Sequence, residues 1–293
     1  VANEAIPLAK HFDITKLEFP VMLSEKLDGV PVRFVIHCGP TGLVTAKAIS
    51  RQHEILRACE KDLMDFVGMN IGLFTSDPGR TWNFVFEVTH RRYTTFKDIS
   101  GVVRRNEPQM DLVYNLFDAD TSYDAGGISL NVLGTRLIRG ASIVDRSRLV
   151  KFNVVQQIKY ETPEDLQDAL DNTVMSSDQE GWIIRSMDAL FKPGTRHWDY
   201  QKIVKDQTID LWITGAVEGV GKFAGGVGKF IAQYKGKEIG IGPGKQTTAE
   251  RKLALAGKYP RMACIKYKPD ESYAALRQPT FQHWRDDKSE ADA

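Results

Sequence analysis

Ser24-Glu25-Lys26-Leu27-Asp28-Gly29-Val30 places a lysine at the end of an apolar run, Phe19-Pro20-Val21-Met22-Leu23, immediately before an Asp-Gly turn. A lysine in that position is held by backbone on both sides. Its amine can attack a phosphorus or carbonyl centre once it has lost its proton. At neutral pH that requires neighbouring cations or a metal ion that favour the free base. Taken alone, Lys-x-Asp-Gly also describes a surface lysine beside a turn, so the stretch has to be read with its surroundings.

Working outward, Val30–His37 and Leu43–Ile49 flank Gly39-Pro40-Thr41-Gly42 and alternate β-branched residues, the pattern of a β-hairpin. His53–Gly68 comes next, with Ile55, Leu56, Leu63 and Phe66 at helical spacing, which predicts one amphipathic helix. Trp82–Val88 and Asp111–Ala119 read as buried strands. Thr162-Pro163-Glu164-Asp165 combines a hydroxyl cap, a proline at the first helical position and early acidic residues, predicting a helix to about Met175. Gly181–Ser186 is a strand. After a turn at Lys192-Pro193-Gly194, another strand lies near Gln201–Lys205. From Thr208 the pattern changes to short strands, glycine turns (Gly219–Gly228) and one helical segment, Thr247–Gly257, which suggests a small barrel of the OB type. The glycine cluster lacks the GxxxxGK[ST] layout and predicts barrel turns and close backbone approach, not a P-loop. The expected boundary gives domains 1–206 and 207–293.

The 293 residues suit two domains of ordinary size, and 42% apolar with 26% charged residues describes a folding chain. No apolar run reaches the length of a membrane span, and the N-terminal stretch lacks the layout of a signal peptide, so a cytoplasmic protein without membrane contact is expected. Cys38, Cys59 and Cys264 lack CxxC spacing and build neither a disulfide framework nor a four-cysteine zinc site. Net charge is +1, which neither demands nor forbids a polyanionic partner.

Further short motifs come after Lys26 in order. They are Ser50-Arg51, Phe84-Val85-Phe86-Glu87, Leu116-Phe117-Asp118, Glu180-Gly181-Trp182-Ile183-Ile184-Arg185, the lysines Lys202 and Lys205, and Arg285-Asp286-Asp287-Lys288. Over nearly its whole length the sequence resembles the covalent nucleotidyltransferases, specifically the short, bacteriophage-like ATP-dependent DNA ligases. The resemblance implies an α/β (α+β) adenylyltransferase domain with mixed and antiparallel sheets, followed by a small all-β OB-fold barrel. It implies nick sealing in duplex DNA through a lysyl-AMP intermediate at Lys26, with ATP and Mg²⁺ (or Mn²⁺) as cofactors and roles in DNA replication, repair and recombination. A monomer acting on nicked double-stranded DNA, in a bacterial or phage-infected cell, is expected.

The resemblance also distributes the side chains. Glu25, Lys26, Arg51, Glu87, Phe117, Lys202 and Lys205 are expected at the nucleotide, with Phe117 stacking on adenine. Glu180 is expected at the metal, with Glu87 as a second ligand. Arg33, Arg51, Arg185 and Arg196 are expected on nick or AMP phosphates, and Arg285, Asp287 and Lys288 on the leaving pyrophosphate. Two departures stand out. Pro31 occupies the place where the family usually carries an arginine, so that either Arg33 substitutes or the contact is missing, and the lysine pair is spaced Lys-x-x-Lys in place of the usual Lys-x-Lys. The same chemistry admits an RNA ligase or a GTP-using capping enzyme, and a non-catalytic OB-type nucleic-acid-binding protein is the rival from another class.

Overall fold

The computed structural model describes residues 6–122, 129–173, 180–192, 194–204, 206–268 and 275–292. The chain divides into two compact units, Val1–Val204 and Lys205–Ala293.

In chain order the first unit contains β1 (Leu8–His11), β2 (Val21–Lys26), β3 (Val30–Cys38), β4 (Val44–Ser50), α1 (Glu60–Met69), α2 (Ile71–Thr75), β5 (Thr81–His90), α3 (Phe96–Val103) and β6 (Leu112–Ser122). It continues with β7 (Ser129–Val132), α4 (Leu133–Ser147), β8 (Phe152–Val154), β9 (Ile158–Tyr160), α5 (Pro163–Asn172), β10 (Gly181–Ser186), β11 (Leu190–Phe191) and β12 (Arg196–Val204). These form two five-stranded sheets of order β4-β3-β5-β6-β8 and β1-β12-β10-β2-β9, plus the short β11-β7 pair. Both large sheets are antiparallel except for one parallel pair each, β6 with β8 and β1 with β12.

Alternation along the strands decides what each face does. In the first sheet Val32, Phe34 and Ile36 pair with Phe86, Phe84 and Trp82 and point into a core shared with Leu63 and Phe66 of α1, Phe74 of α2 and Ile99 of α3. The Phe34 ring lies 5.1 Å from Phe86 and 5.3 Å from Tyr114, edge-on or tilted as aromatic quadrupoles favour. The opposite face carries Pro31, Arg33, Asn83, Val85 and Glu87, residues of the other parity. In the second sheet Val21, Leu23 and Ile184 pack under Leu166 of α5, while Met22, Ser24 and Lys26 face the other way. Contacts such as Arg185 with Asp118, and Phe117 with Ile6, Val85 and Phe191, join these second faces of the two sheets into one cleft.

The hairpin β3–β4 and the strands β5, β6 and β10 occur as expected. The predicted helix from His53 does not begin there. Ser50 Oγ accepts the N–H groups of Gln52 and Glu54, His53 adopts a positive φ of 67°, and Ile55 is exposed on an isolated bridge to Ile49. This turn postpones α1 to Glu60, after a short 3-10 turn at Arg57–Cys59.

The second unit holds β13 (Gln207–Glu218), β14 (Val227–Tyr234), β15 (Lys237–Ile241), α6 (Thr248–Leu255), β16 (Arg261–Lys268) and β17 (Arg277–Trp284). Its sheet runs β15-β14-β13-β16-β17, antiparallel throughout. A parallel bridge from Gly242, just past β15, to Thr280 of β17 brings the two ends together. Five strands closed in this order, with a helix between the third and fourth, make an OB-fold. Gly219 and Gly228 meet where the glycine cluster closes the first hairpin: a Cβ on Gly228 would lie 2.6 Å from the Gly219 Cα. All three cysteines are buried and free.

Candidate active site

The Lys26 side chain ends in the cleft of the first unit. Its Nζ donates to Glu180 Oε2 at 2.5 Å. Two glycines make this meeting possible. Gly181 sits so close to β12 that a Cβ there would lie 2.0 Å from the Ile203 carbonyl oxygen, which fixes the strand entry that delivers Glu180. Gly29 brings the Asp-Gly turn down onto β5, where a Cβ would meet the Val88 carbonyl oxygen at 2.5 Å and Glu87 Cγ at 3.0 Å. Both motif glycines are therefore required by close backbone packing, one for each glutamate.

Glu87 completes the group. Burial pushes its carboxyl up to about 7. The Lys26 ammonium opposes that shift, the Glu180 carboxylate adds to it, Arg51 opposes it, and the Gly29 N–H donates to the carboxylate. Arg51 is exposed at the end of β4 and lies within electrostatic reach of both Glu87 and Tyr200. The half-buried Tyr200 phenol is itself pushed up to about 12, desolvation again being the largest cause. No sequence motif marks Tyr200. Only its β12 register, opposite Arg185, reveals that it faces the cleft.

Phe117 owes its position to an irregularity. Val85 pairs with Asp118 and Phe86 with Leu116, so Phe117 is the extra residue of a β-bulge on β6. Its ring packs with Ile6, Val85 and Phe191 at the cleft. Lys202 stands on β12 opposite Ile183 and in the same row as Ser24. Lys205 lies outside the described residues.

Three expectations are corrected. The Glu25 side chain is exposed and alternates to the face opposite Lys26, beside Trp182, so only its backbone borders the cleft. Arg33 is 3% exposed, with Nε and Nη2 donating to Asn83 Oδ1 at 3.1 and 2.7 Å. It pairs with Val85, two residues deeper than Pro31 opposite Glu87, and so neither replaces the missing arginine nor reaches a DNA phosphate. Arg185 is also 3% exposed, held 3.4 Å from Asp118 Oδ2, and cannot touch a duplex. Arg196, by contrast, is exposed, with Nη1 donating to the Ala9 carbonyl.

Beneath the cleft lies a charge cluster that motif reading did not reveal. Arg136 of α4 donates to both Asp118 oxygens, at 2.9 and 3.1 Å, and to the Ala189 carbonyl at 2.7 Å. Arg33 and Arg136 each lie 5.6 Å from the centroid of the Phe191 ring.

In the second unit the terminal element folds onto β13. Arg285 donates to both Asp287 oxygens at 2.9 Å and to Asp210 Oδ2 at 2.7 Å. Lys288 reaches Asp210 Oδ2 at 2.8 Å and Asp292 Oδ1 at 2.5 Å. Asp210 is buried, and its own N–H donates to Asp292 Oδ2 at 2.7 Å.

Among the described residues no three His, Cys, Asp or Glu side chains gather as a metal cluster. The Glu87 and Glu180 carboxylates nevertheless fit Mg²⁺. That ion is usually held by one or two carboxylates together with substrate phosphates, and the neighbouring Glu180 charge helps to raise Glu87 alongside burial itself.

No family model and no curated protein sequence matches the chain. Solved structures do. The protein named Pmar-Lig_Pre aligns at 19% identity over 96% of this chain and 67% of its own, with a TM-score of 0.75. A Lig E DNA ligase aligns at 17% over 96% and 99%, with a TM-score of 0.68. The ATP-dependent DNA ligase from bacteriophage T7, in complex with ATP, aligns at 14% over 96% and 98%, with a TM-score of 0.54. At these identities the likeness is one of fold: both units, in the same order, have the architecture found in these ligases.

Proposed function

We propose that this chain is an ATP-dependent DNA ligase whose nucleophile is Lys26. The observation that carries the proposal is the ion pair between Lys26 and Glu180 beside Glu87, three motif residues from distant strands gathered at one point of a ligase fold.

In the first step the Lys26 amine passes its proton through Glu180 to solvent, leaving that carboxylate ionised, and its lone pair forms the bond to the α-phosphorus of ATP. The bond from that phosphorus to the bridging oxygen breaks, and pyrophosphate leaves with the electron pair. Lys202 balances charge developing on the phosphate, and Arg285, Asp287 and Lys288 orient the pyrophosphate. Phe117 stacks on the base. Glu180, with Glu87, would hold Mg²⁺ (or Mn²⁺), which would supply Lewis-acid polarisation of the phosphate when bound. AMP then passes to the 5′-phosphate of a nick as the N–P bond breaks. The 3′-hydroxyl attacks that phosphate, seals the strand and releases AMP. Arg51 and Arg196 are the exposed cations that remain for nick phosphates. Lys205 is proposed as a second phosphate-contacting lysine. Among the described residues no helix is long and apolar enough to cross a membrane.

Incubation with α-labelled ATP and Mg²⁺ followed by denaturation tests this: label is expected on the wild-type protein and absent from Lys26→Ala. Label retained by the alanine variant discards the nucleophile. Sealing of nicked DNA and nicked RNA with ATP, GTP or NAD separates the related activities. Adduct formation with GTP in place of ATP would make it a capping-type enzyme.

A further inference from the structure

Arg185, too deeply buried to touch DNA, has surroundings of another kind. Strand register lays out three rows on the cleft face of the second sheet: Lys26-Gly181-Val204, Ser24-Ile183-Lys202 and Met22-Arg185-Tyr200. Successive rows are about 7 Å apart. Arg185 is thus two rows from the nucleophile, with its guanidinium 6.0 Å from the Phe117 ring centroid and 5.9 Å from that of Tyr200. Its Nη2 donates to Gln157 Oε1 at 3.3 Å. Its Nε and Nη1 are buried and find no hydrogen-bond acceptor among the described residues. Asp118 Oδ2 balances the charge from 3.4 Å as an ion pair with Nη1 that is not a hydrogen bond, while its carboxylate hydrogen-bonds to Arg136 and to the Ala119 N–H. A buried charged donor without an acceptor is costly, and such atoms call for a partner. The side chain also borders a cavity lined by Pro7, Leu8, Leu190 and Tyr200 among others.

We infer that Arg185 reads the edge of the nucleotide's base, its Nε or Nη1 donating to a ring nitrogen of the purine. The inference rests on the ligase assignment: with the α-phosphorus at Lys26 and the base against Phe117, the base edge comes within reach of this guanidinium. Arg185 is then a specificity-determining contact, with Asp118 and Arg136 holding it in place.

The test measures lysyl-AMP formation by the unmodified protein with ATP and with its 1-deaza, 3-deaza and 7-deaza analogues, each lacking one ring acceptor. One analogue is expected to show a KM raised about ten- to a hundredfold, the range for a hydrogen bond to a charged group. Arg185→Ala is expected to raise the KM for ATP similarly and to lose discrimination against that analogue, and Arg185→Lys to recover part of both. Equal KM values for all four nucleotides in the unmodified protein, or discrimination that survives Arg185→Ala, overturns the inference. If Arg185→Ala does not fold, the analogue series on the unmodified protein still decides. No adduct with any nucleotide would instead overturn the ligase assignment beneath it.

Discussion

Lys26 Nζ and Glu180 Oε2 stand 2.5 Å apart although 154 residues separate them in the chain. The contact orients the amine and gives its proton somewhere to go. Removing the acceptor should therefore slow the first chemical step, not just weaken nucleotide binding. Glu180→Ala is expected to lower the rate of lysyl-AMP formation at saturating ATP by about 10²–10⁴-fold, the usual contribution of a placed acid or base. Quenched-flow labelling reads the rate directly, and a change confined to KM would contradict the assignment.

Glu87 makes stability depend on pH. Its folded value near 7 lies above the ordinary 4.5, so its carboxyl binds a proton more tightly in the folded state than in the unfolded one. That contribution is complete below about pH 4.5 and is lost as pH rises through 7. Relative to Glu87→Gln, the wild-type protein without nucleotide should lose on the order of 2–3 kcal/mol across this window. Urea titrations of both proteins at several pH values would reveal it, and parallel curves would refute it.

Gly181→Ala should separate folding from chemistry poorly, because its Cβ would meet the Ile203 carbonyl oxygen at 2.0 Å. Strain of this kind typically costs about 1–3 kcal/mol, and relieving it would draw Glu180 away from Lys26. The expected result is a lowered unfolding midpoint together with lost adduct formation. An alanine variant as active and as stable as wild type would show that β10 and β12 can part at no cost.

Asp118 sits between Arg136 and Arg185 with almost no exposure. Asp118→Ala is expected to destabilise the first unit by about 3–5 kcal/mol by stranding buried positive charge. Pairing Asp118→Leu with Arg136→Met should restore only part of this, since Arg185 still lacks its counter-charge. Denaturant unfolding of the set gives the coupling, and full restoration by the pair would mean that Arg185 does not depend on Asp118.

In the second unit, Asp210 holds both Arg285 and Lys288. Asp210→Asn should leave the barrel folded but loosen this element, slowing lysyl-AMP formation about ten- to a hundredfold through misplacement. Sealing of a nick that already carries AMP, which releases no pyrophosphate, should be spared. Equal losses in both assays would assign Asp210 to general stability.

How much of the fold and site is legible in the sequence depends on how locally each feature is encoded. Lys26, Asp28 and Gly29 sit within four residues, and the hairpin and α5 carry their turn and cap residues beside them, so pattern alone locates them. Arg33 and Arg185 mislead because their burial depends on Asn83 and Asp118, partners on other strands. Glu25 is misplaced for a smaller reason: adjacent residues of a strand face opposite ways. Helix α4 carries no side-chain cap at Val132 and turns Arg136 inward, so its sequence looks too charged to pack. Strand β17 escapes notice because Gln278, at positive φ, and Pro279 interrupt the β-branched pattern near its start.

The seam of the barrel has a consequence of its own. The two ends of the sheet are stitched by the Gly242 N–H to the Pro279 carbonyl at 3.0 Å and by the Phe281 N–H to the Gly242 carbonyl at 2.9 Å. A rim that would otherwise offer a ladder of unpaired amides to a stranger's strand is thereby occupied from within. With Gly244 wedged under the Phe281 carbonyl, where any side chain would prise the stitch apart, protection against self-association is concentrated in one short and irreplaceable stretch of backbone.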